Sequence, residues 1–211
     1  QVVLNGVKSL VPLAEQCEWF VVVAAEKGEV SAFIVPKDAA GLTIQAEAYM
    51  GLRSAEPATL TLESVTVPEA DRLPGFDLDR LLGLSRIGQC ALAVGCCQAV
   101  MEYAIPYVNE RKAFGEPIAW RQSVAFMVAN MAIEIEGMRL MMLRAASRAD
   151  QGLDFHKEAY LAQLLCMEKA MEIGTNGVQL LGGHGFVKEH PVERWYRDLR
   201  STATHFGGAH A

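Results

Sequence analysis

The stretch "VPEADRLPGFDLDRLL", residues 67–82, separates two kinds of pattern. Before it, apolar side chains alternate with polar ones; after it, they recur every three or four positions. Pro68 and the Pro74–Gly75 pair punctuate the change, because proline lacks an amide proton and glycine takes backbone angles that other residues avoid. Upstream, "ATLTLESVTVP" (58–68) sets Leu60, Leu62 and Val65 against Thr and Glu, as in a half-buried strand. "EWFVVVAA" (18–25) and "VSAFIVP" (30–36) are β-branched and aromatic runs of strand length, and "EKG" (26–28) between them suits a hairpin loop. Asn5–Gly6 is another hairpin signal. Strands at this spacing predict a small antiparallel β-barrel or sandwich over residues 1–75.

Downstream, Asp77 is placed to cap a helix from about Leu78 to Arg111, followed by two more over Ala119–Asp150 and Phe155–Leu181. The first two are roughly 50 Å long at the helical rise per residue. Turns such as "FGEP" and "QGLD" predict an antiparallel four-helix-bundle-like domain over residues 76–211, so the fold class is α+β. The first helix is apolar nearly all round ("CALAVGCCQAVMEYAI"), which predicts burial on several sides, inside a bundle or at a subunit interface. Pro106 predicts a kink in it.

The chain is 51% hydrophobic and 21% charged, with a net charge of −6. That acidity argues against nucleic acid or an anionic membrane surface as the main partner. No uninterrupted apolar run reaches about 18 residues, so no membrane span is expected. The opening "QVVLNG" is strand-like rather than a signal peptide. Cys17, Cys90, Cys96, Cys97 and Cys166 form no CxxC pair, which fits free thiols in a reducing compartment. The histidines lack metal-ligand spacing, and no metal is expected.

Two stretches carry the candidate site. In "QLLGGHGF" (179–186) a helical run stops and Gly182, Gly183 and Gly185 follow. One glycine reads as a helix cap; three read either as that alone or as bare backbone lying against a partner chain or a phosphate. In "RKAFGEPIAWRQ" (111–122), Arg111, Phe114, Gly115 and Gln122 meet near one turn. An arginine suits phosphate, a phenylalanine covers a flat ring or seals the turn, and a glutamine donates a hydrogen bond. The same residues also read as a plain helix–helix corner.

Together, "LNGVK", "MGLRS…LTLESVTVP", "RKAFGEPIAWRQ", "QLLGGHGF" and "PVERWYRD" resemble the acyl-CoA dehydrogenases in order and approximate spacing, over essentially the whole chain. The resemblance implies a middle β domain followed by a C-terminal four-helix domain, FAD as cofactor, an acyl-CoA substrate, and an electron-transferring flavoprotein or similar acceptor. It implies a homo-oligomer, dimer or tetramer, or a hetero-oligomer with a related subunit. It implies that Arg111, Phe114, Gln122, Gln179, Gly182 and Gly183 contact the FAD of a neighbouring subunit, and it fits a bacterial cytoplasm or mitochondrial matrix. An N-terminal helical domain is expected before Gln1 and a continuation of the last helix after Ala211, so the chain is expected to be one segment of a larger polypeptide.

Three positions depart from the family pattern. Leu10 and Pro12 stand where the resemblance implies a flavin-packing Trp and a flavin-bonding Thr. Phe206 stands where most members carry the glutamate base that removes the α-proton. A minority carry the base at the start of the first long helix, and the matching residue in "GFDLDRLL" is Asp79, with Arg80 beside it organising the site. Asp79 also reads as an ordinary acidic residue in a helix's first turn. Glu193 is expected to pair with a nearby arginine, Glu134 and Glu136 to form a solvated or interfacial face, and His184 and His205 to lie near the site. The expected reaction is α,β-dehydrogenation of an acyl-CoA; the alternatives are a catalytically impaired subunit of a heteromer and a helical assembly module without chemistry.

Overall fold

A computed structural model describes residues 1–204; His205 and Phe206 lie outside the described residues. The chain divides into two compact units, Gln1–Leu78 and Asp79–Ala211.

The first unit holds β1 (Val2–Val11), β2 (Trp19–Glu26), β3 (Glu29–Pro36), β4 (Leu42–Ala46) and β5 (Ala58–Val67). One antiparallel sheet has the order β1-β5-β4, and β2 and β3 form a separate hairpin. Leu4, Leu60 and Val65 of the sheet share one core with Phe20, Phe33 and Val35 of the hairpin. Among the described residues the two sheets face each other as a small sandwich and do not close into a barrel.

The strand pattern of β5 slips by one residue between Leu62 and Val65, and the pairing shows why. Leu4 faces Val65 while Gly6 faces Leu62, so two steps along β1 match three along β5. The extra residue is a bulge: Ser64 takes φ +56°, and its amide donates to Asn5 Oδ1 at 2.7 Å. Asn5–Gly6 therefore marks a bulge inside a strand pair, not the hairpin turn expected of it. The true hairpin loop is Lys27–Gly28, both with positive φ, closed by Glu26 opposite Glu29.

The second unit holds α1 (Leu78–Glu110), a two-strand hairpin β6 (Lys112–Ala113) and β7 (Glu116–Pro117), then α2 (Gln122–Asp150), α3 (His156–Leu181) and α4 (Val192–Thr202). α2 starts three residues later than expected because a 3-10 turn over Ile118–Trp120 follows the hairpin. Along α1 the buried positions Cys90, Ala93, Cys97, Val100, Ala104 and Val108 step by three or four, which puts them on one face. They pack with Met131, Ile135 and Met138 of α2, Cys166 and Ile173 of α3, and Leu199 of α4.

α1 runs unbroken through Pro106. It is also long and apolar enough to cross a membrane by length and composition, a point that a search for uninterrupted apolar runs passes over. One face lies in the bundle core; Leu92, 75% exposed, Leu81, Leu84 and Ile105 are uncovered in a single chain. On α2, Phe126, Ile133 and Leu140 are exposed at seven-residue intervals.

All five cysteines are free, and Cys90, Cys97 and Cys166 are buried. Burial, with Asp198 nearby, pushes the Cys96 thiol up to about 11. Glu193 pairs with Arg197 at 2.9 Å, one turn on, and that bond holds its carboxyl below its ordinary value. Glu134 bridges to Lys169 of α3 at 3.3 Å, and Glu136 pairs with Arg139.

One close approach in the bundle sets a test. A Cβ on Gly177 of α3 would lie 2.4 Å from Val100 Cγ1 of α1. Valine is stiff at χ1 and buried here, so the overlap is not relieved by a rotamer change. Gly177→Ala is expected to cost about 1–3 kcal/mol in denaturant unfolding. Val100→Ala in the same background should recover part of it. Wild-type stability for Gly177→Ala alone would contradict this packing.

Candidate functional site

The end of α1 places the first site residue. Arg111 follows the last helical residue, its amide donating to Tyr107 O at 2.8 Å and its carbonyl accepting from Ile118 N at 2.9 Å. Helix end and hairpin thus fix the Arg111 backbone, while its guanidinium has no protein partner among the described residues. Between β6 and β7 the loop is Phe114–Gly115, with φ of +56° and +88°, which is the sign pattern of a tight I′-type turn. Phe114 takes a left-handed backbone without being glycine, and the residue is 93% exposed. The Arg121 guanidinium lies over that ring, 5.2 Å from its centroid, and 3.5 Å from Glu116.

The glycine corner forms the facing wall. Gly182 ends α3 with φ +56° and ψ −131°, a conformation suited to glycine. Its amide donates to Gln179 O, so that donor is already taken. Gly185 is buried, and a Cβ there would lie 2.3 Å from Val178 O; close packing of the chain onto α3 requires it. Gly183 has neither a positive φ nor anything within 4 Å of an added Cβ. Two of the three glycines therefore have internal reasons, and the third has an open face.

These walls enclose a cleft of about 810 Å³. Arg111, Phe114, Gln179, Gly182 and Gly183 all line it, along with Arg121. Two arginines and His184 border it, and no described carboxylate does, in a chain whose net charge is −6. Apolar side chains such as Ile118, Val124 and Met127 supply the rest of the lining. The arrangement suits an anion joined to a flat or apolar body.

Gln122 does not line the cleft; its neighbours Arg121 and Ser123 do, and Gln122 is exposed at the first turn of α2. Asp79 and Arg80 are exposed at the opposite end of α1. Asp79 and Arg111 stand 32 positions apart, about 48 Å along a straight helix. At the two departures in the first unit, Leu10 takes φ +57° and its amide donates to Glu47 Oε1, while Pro12 is exposed.

Sequence reading missed Tyr107 and His190. The Tyr107 hydroxyl reaches Leu181 O at 3.1 Å and His184 Nδ1 at 2.9 Å, joining α1 to the glycine corner. His190 stacks on His184, with ring centroids 5.1 Å apart. A signal for Tyr107 existed: it lies one turn before Arg111, on the same side. None existed for His190, whose contact depends on how the chain turns after α3.

A two-layer β unit followed by a helical bundle with an anion-suited cleft at its corner defines a class, and the comparisons define the family. The chain belongs to the acyl-CoA dehydrogenase family: residues 77–210 match the model of its C-terminal domain and residues 1–65 that of its middle domain. The mouse mitochondrial short-chain specific acyl-CoA dehydrogenase is 36% identical, over 97% of this chain and 52% of its own length. Subunit CarC of the caffeyl-CoA reductase–Etf complex of Acetobacterium woodii is 37% identical, over 93% of this chain and 55% of its own. The butyryl-CoA dehydrogenase structure from Megasphaera elsdenii superposes with a TM-score of 0.90 at 31% identity, covering 98% of this chain and 57% of that one. The chain thus spans about half the length of the curated relatives it matches.

The two inner glycines separate by experiment. Gly185→Ala forces a Cβ into Val178 backbone and is expected to lower unfolding stability by about 1–3 kcal/mol. Gly183→Ala should stay within about 0.5 kcal/mol of wild type in the same thermal or denaturant measurement. Equal losses would mean that the corner is not packed as described.

Proposed function

We propose that this chain is the middle and C-terminal part of an FAD-dependent acyl-CoA dehydrogenase, which introduces a double bond between the α and β carbons of an acyl-CoA thioester. The observation that supports it most is the cleft: an unpaired Arg111 guanidinium, Gln179 and the open Gly182–Gly183 backbone face one space without a carboxylate. Arg111 would hold the pyrophosphate of the dinucleotide through its forked donors. Phe114, which lines the same cleft, would lie against the ring or sugar, and Gln179 would bond its polar edge. Gln122, outside the cleft in a single chain, would join once a second subunit brings the cofactor in.

When bound, the flavin supplies the acceptor for the β-hydride. The chain's own part is the proton. The Asp79 carboxylate takes the α-proton as the Cα–H bond breaks, and that electron pair becomes the new C=C bond as the β-hydride departs. Asp79 is exposed and has no protein partner among the described residues, which leaves it open to a substrate. Arg80 beside it would steady the bound thioester.

A second copy of the chain, or a related subunit, would cover the exposed apolar residues Leu92, Phe126, Ile133 and Leu140 and receive its dinucleotide in this cleft. An electron-transferring flavoprotein is the proposed acceptor; one relative is a subunit of a complex with Etf, and a solved structure described as the electron-transferring flavoprotein of Acidaminococcus fermentans superposes at TM-score 0.91 and 32% identity. The setting would be a bacterial cytoplasm or a mitochondrial matrix.

Leu10 and Pro12 favour a second reading, an inactive subunit that lends its cleft to an active partner, because neither side chain can hydrogen-bond a flavin. Colour separates the readings. The purified full-length protein with its natural partners should show bound-flavin absorbance and bleach when acyl-CoA is added without oxygen. Flavin without bleaching supports the inactive subunit, and no flavin supports a pure assembly module. Asp79→Asn should keep the flavin but slow bleaching by about 10²- to 10⁴-fold; normal bleaching would remove Asp79 as the base.

A further inference from the structure

His184 lines the cleft, yet neither the family match nor the glycine pattern gives it a role. Its ring is held in place. Tyr103 and Tyr107 stand one turn apart on α1, on the same side of the helix. Tyr107 approaches the His184 ring edge-on and the Tyr107 hydroxyl meets His184 Nδ1 at 2.9 Å. Behind it, His190 stacks on His184 with planes 21° apart, and the Tyr103 hydroxyl fixes His190 Nδ1 at 2.8 Å. An imidazole exposed to a cleft is thus oriented by three rings.

The same contacts set its tautomer. The Tyr107 hydroxyl has one proton and two neighbours, Leu181 O at 3.1 Å and His184 Nδ1 at 2.9 Å. A carbonyl oxygen can only accept. Donation to Leu181 O satisfies that carbonyl and leaves the hydroxyl oxygen free to accept from His184 Nδ1–H. The reverse choice would set two oxygens face to face with no proton between them. In the neutral ring, then, Nδ1 carries the hydrogen and Nε2 is a bare acceptor, with no protein partner among the described residues.

We infer that His184 is a ligand-contacting residue: its Nε2 accepts a hydrogen bond from an O–H or N–H of the nucleotide in the cleft, in the tautomer that Tyr107 imposes. This rests on the proposed reading of the cleft as a dinucleotide site. The division of labour is chemical. Arg111 and Arg121 offer only donors, which suit phosphate oxygens; His184 supplies an acceptor on the same wall, which suits a sugar hydroxyl or a base amino group.

The test is FAD affinity of the full-length protein, measured by titrating stripped apoprotein and following flavin fluorescence. His184→Leu should weaken FAD binding roughly threefold to tenfold, the effect of losing one hydrogen bond. His184→Gln, whose amide oxygen reaches near the Nε2 position, should restore most of it. Tyr107→Phe should weaken binding by a smaller factor on its own and add nothing in the His184→Leu background, because it acts through His184; a purely structural role for Tyr107 would be additive. Two dinucleotides locate the donor: the hypoxanthine analogue lacks the amino group and the 2′-deoxy analogue lacks a ribose hydroxyl. One of them should bind wild type more weakly than FAD and bind His184→Leu no more weakly than FAD does. If wild type holds FAD, Arg111→Leu loses it and His184→Leu equals wild type, the His184 assignment is overturned while the cleft reading stands. If wild type holds no FAD and Arg111→Leu changes nothing, the cleft reading itself falls, and the inference with it.

Discussion

The second unit depends on how closely α1 and α3 approach each other. Gly177 lets the α3 backbone settle against Val100, and about two turns further along α1 the Tyr107 hydroxyl meets the carbonyl of Leu181, the last residue of α3. Any side chain larger than hydrogen at Gly177 would push these ends apart. The cleft exists because they do not separate: Arg111 leaves α1 just where Gly182 leaves α3, and both line the same space. A steric fact deep in the bundle thereby constrains the distance between two loops that start at Arg111 and Gly182, 71 positions apart in sequence. The loops need little stiffness of their own, since each is anchored by a helix end.

The corner itself shows that neighbouring glycines need not answer the same demand. Gly182 serves the backbone turn, Gly185 serves contact with Val178, and Gly183 serves neither. A glycine without an internal reason costs conformational entropy for no packing return. That makes Gly183 the residue whose presence is best explained by what lies outside the chain. Phe114 is its counterpart on the opposite wall: a large apolar residue left 93% exposed on a left-handed backbone, with only Arg121 across its ring. Neither feature stabilises the isolated chain, and both line the same cleft.

Much of this was legible in the sequence. The change of period after Val67 gave two units, and the helix ends near Glu110, Asp150 and Leu181 follow from the apolar repeat and its punctuation. Arg111, Phe114, Gln179, Gly182 and Gly183 line one cleft while Gln122 does not, and the five come together because each lies beside a helix end that the pattern locates. The misreadings have physical causes. Asn5–Gly6 favours positive φ, but a bulge uses that preference as readily as a hairpin does. The late start of α2 reflects a hairpin only two residues wide, too short to leave a period. The stacking of His184 on His190 was invisible because it is set by the turn between α3 and α4, where no repeat operates.

Asp79 lies in the first turn of α1. It and Arg111 bracket α1, about 48 Å apart on a straight helix, and both lie in the same unit. One dinucleotide does not reach from a base at one end to a phosphate grip at the other. On the proposed reading, with Asp79 as base and the cleft as nucleotide site, the two ends of α1 would serve different cofactors, so each chain would work on one flavin and steady another. A closed symmetric pair meets that demand, since each copy then lends its cleft to its partner. The same proposed arrangement would account for the composition of α1 and α2. Leu92 and Ile105 on one helix, and Phe126, Ile133 and Leu140 on the other, are costly to leave in water and cheap to cover with a second subunit. On that reading the apolar character that makes α1 long and greasy enough to pass for a membrane span would be divided between a bundle core on one face and a subunit contact on the others.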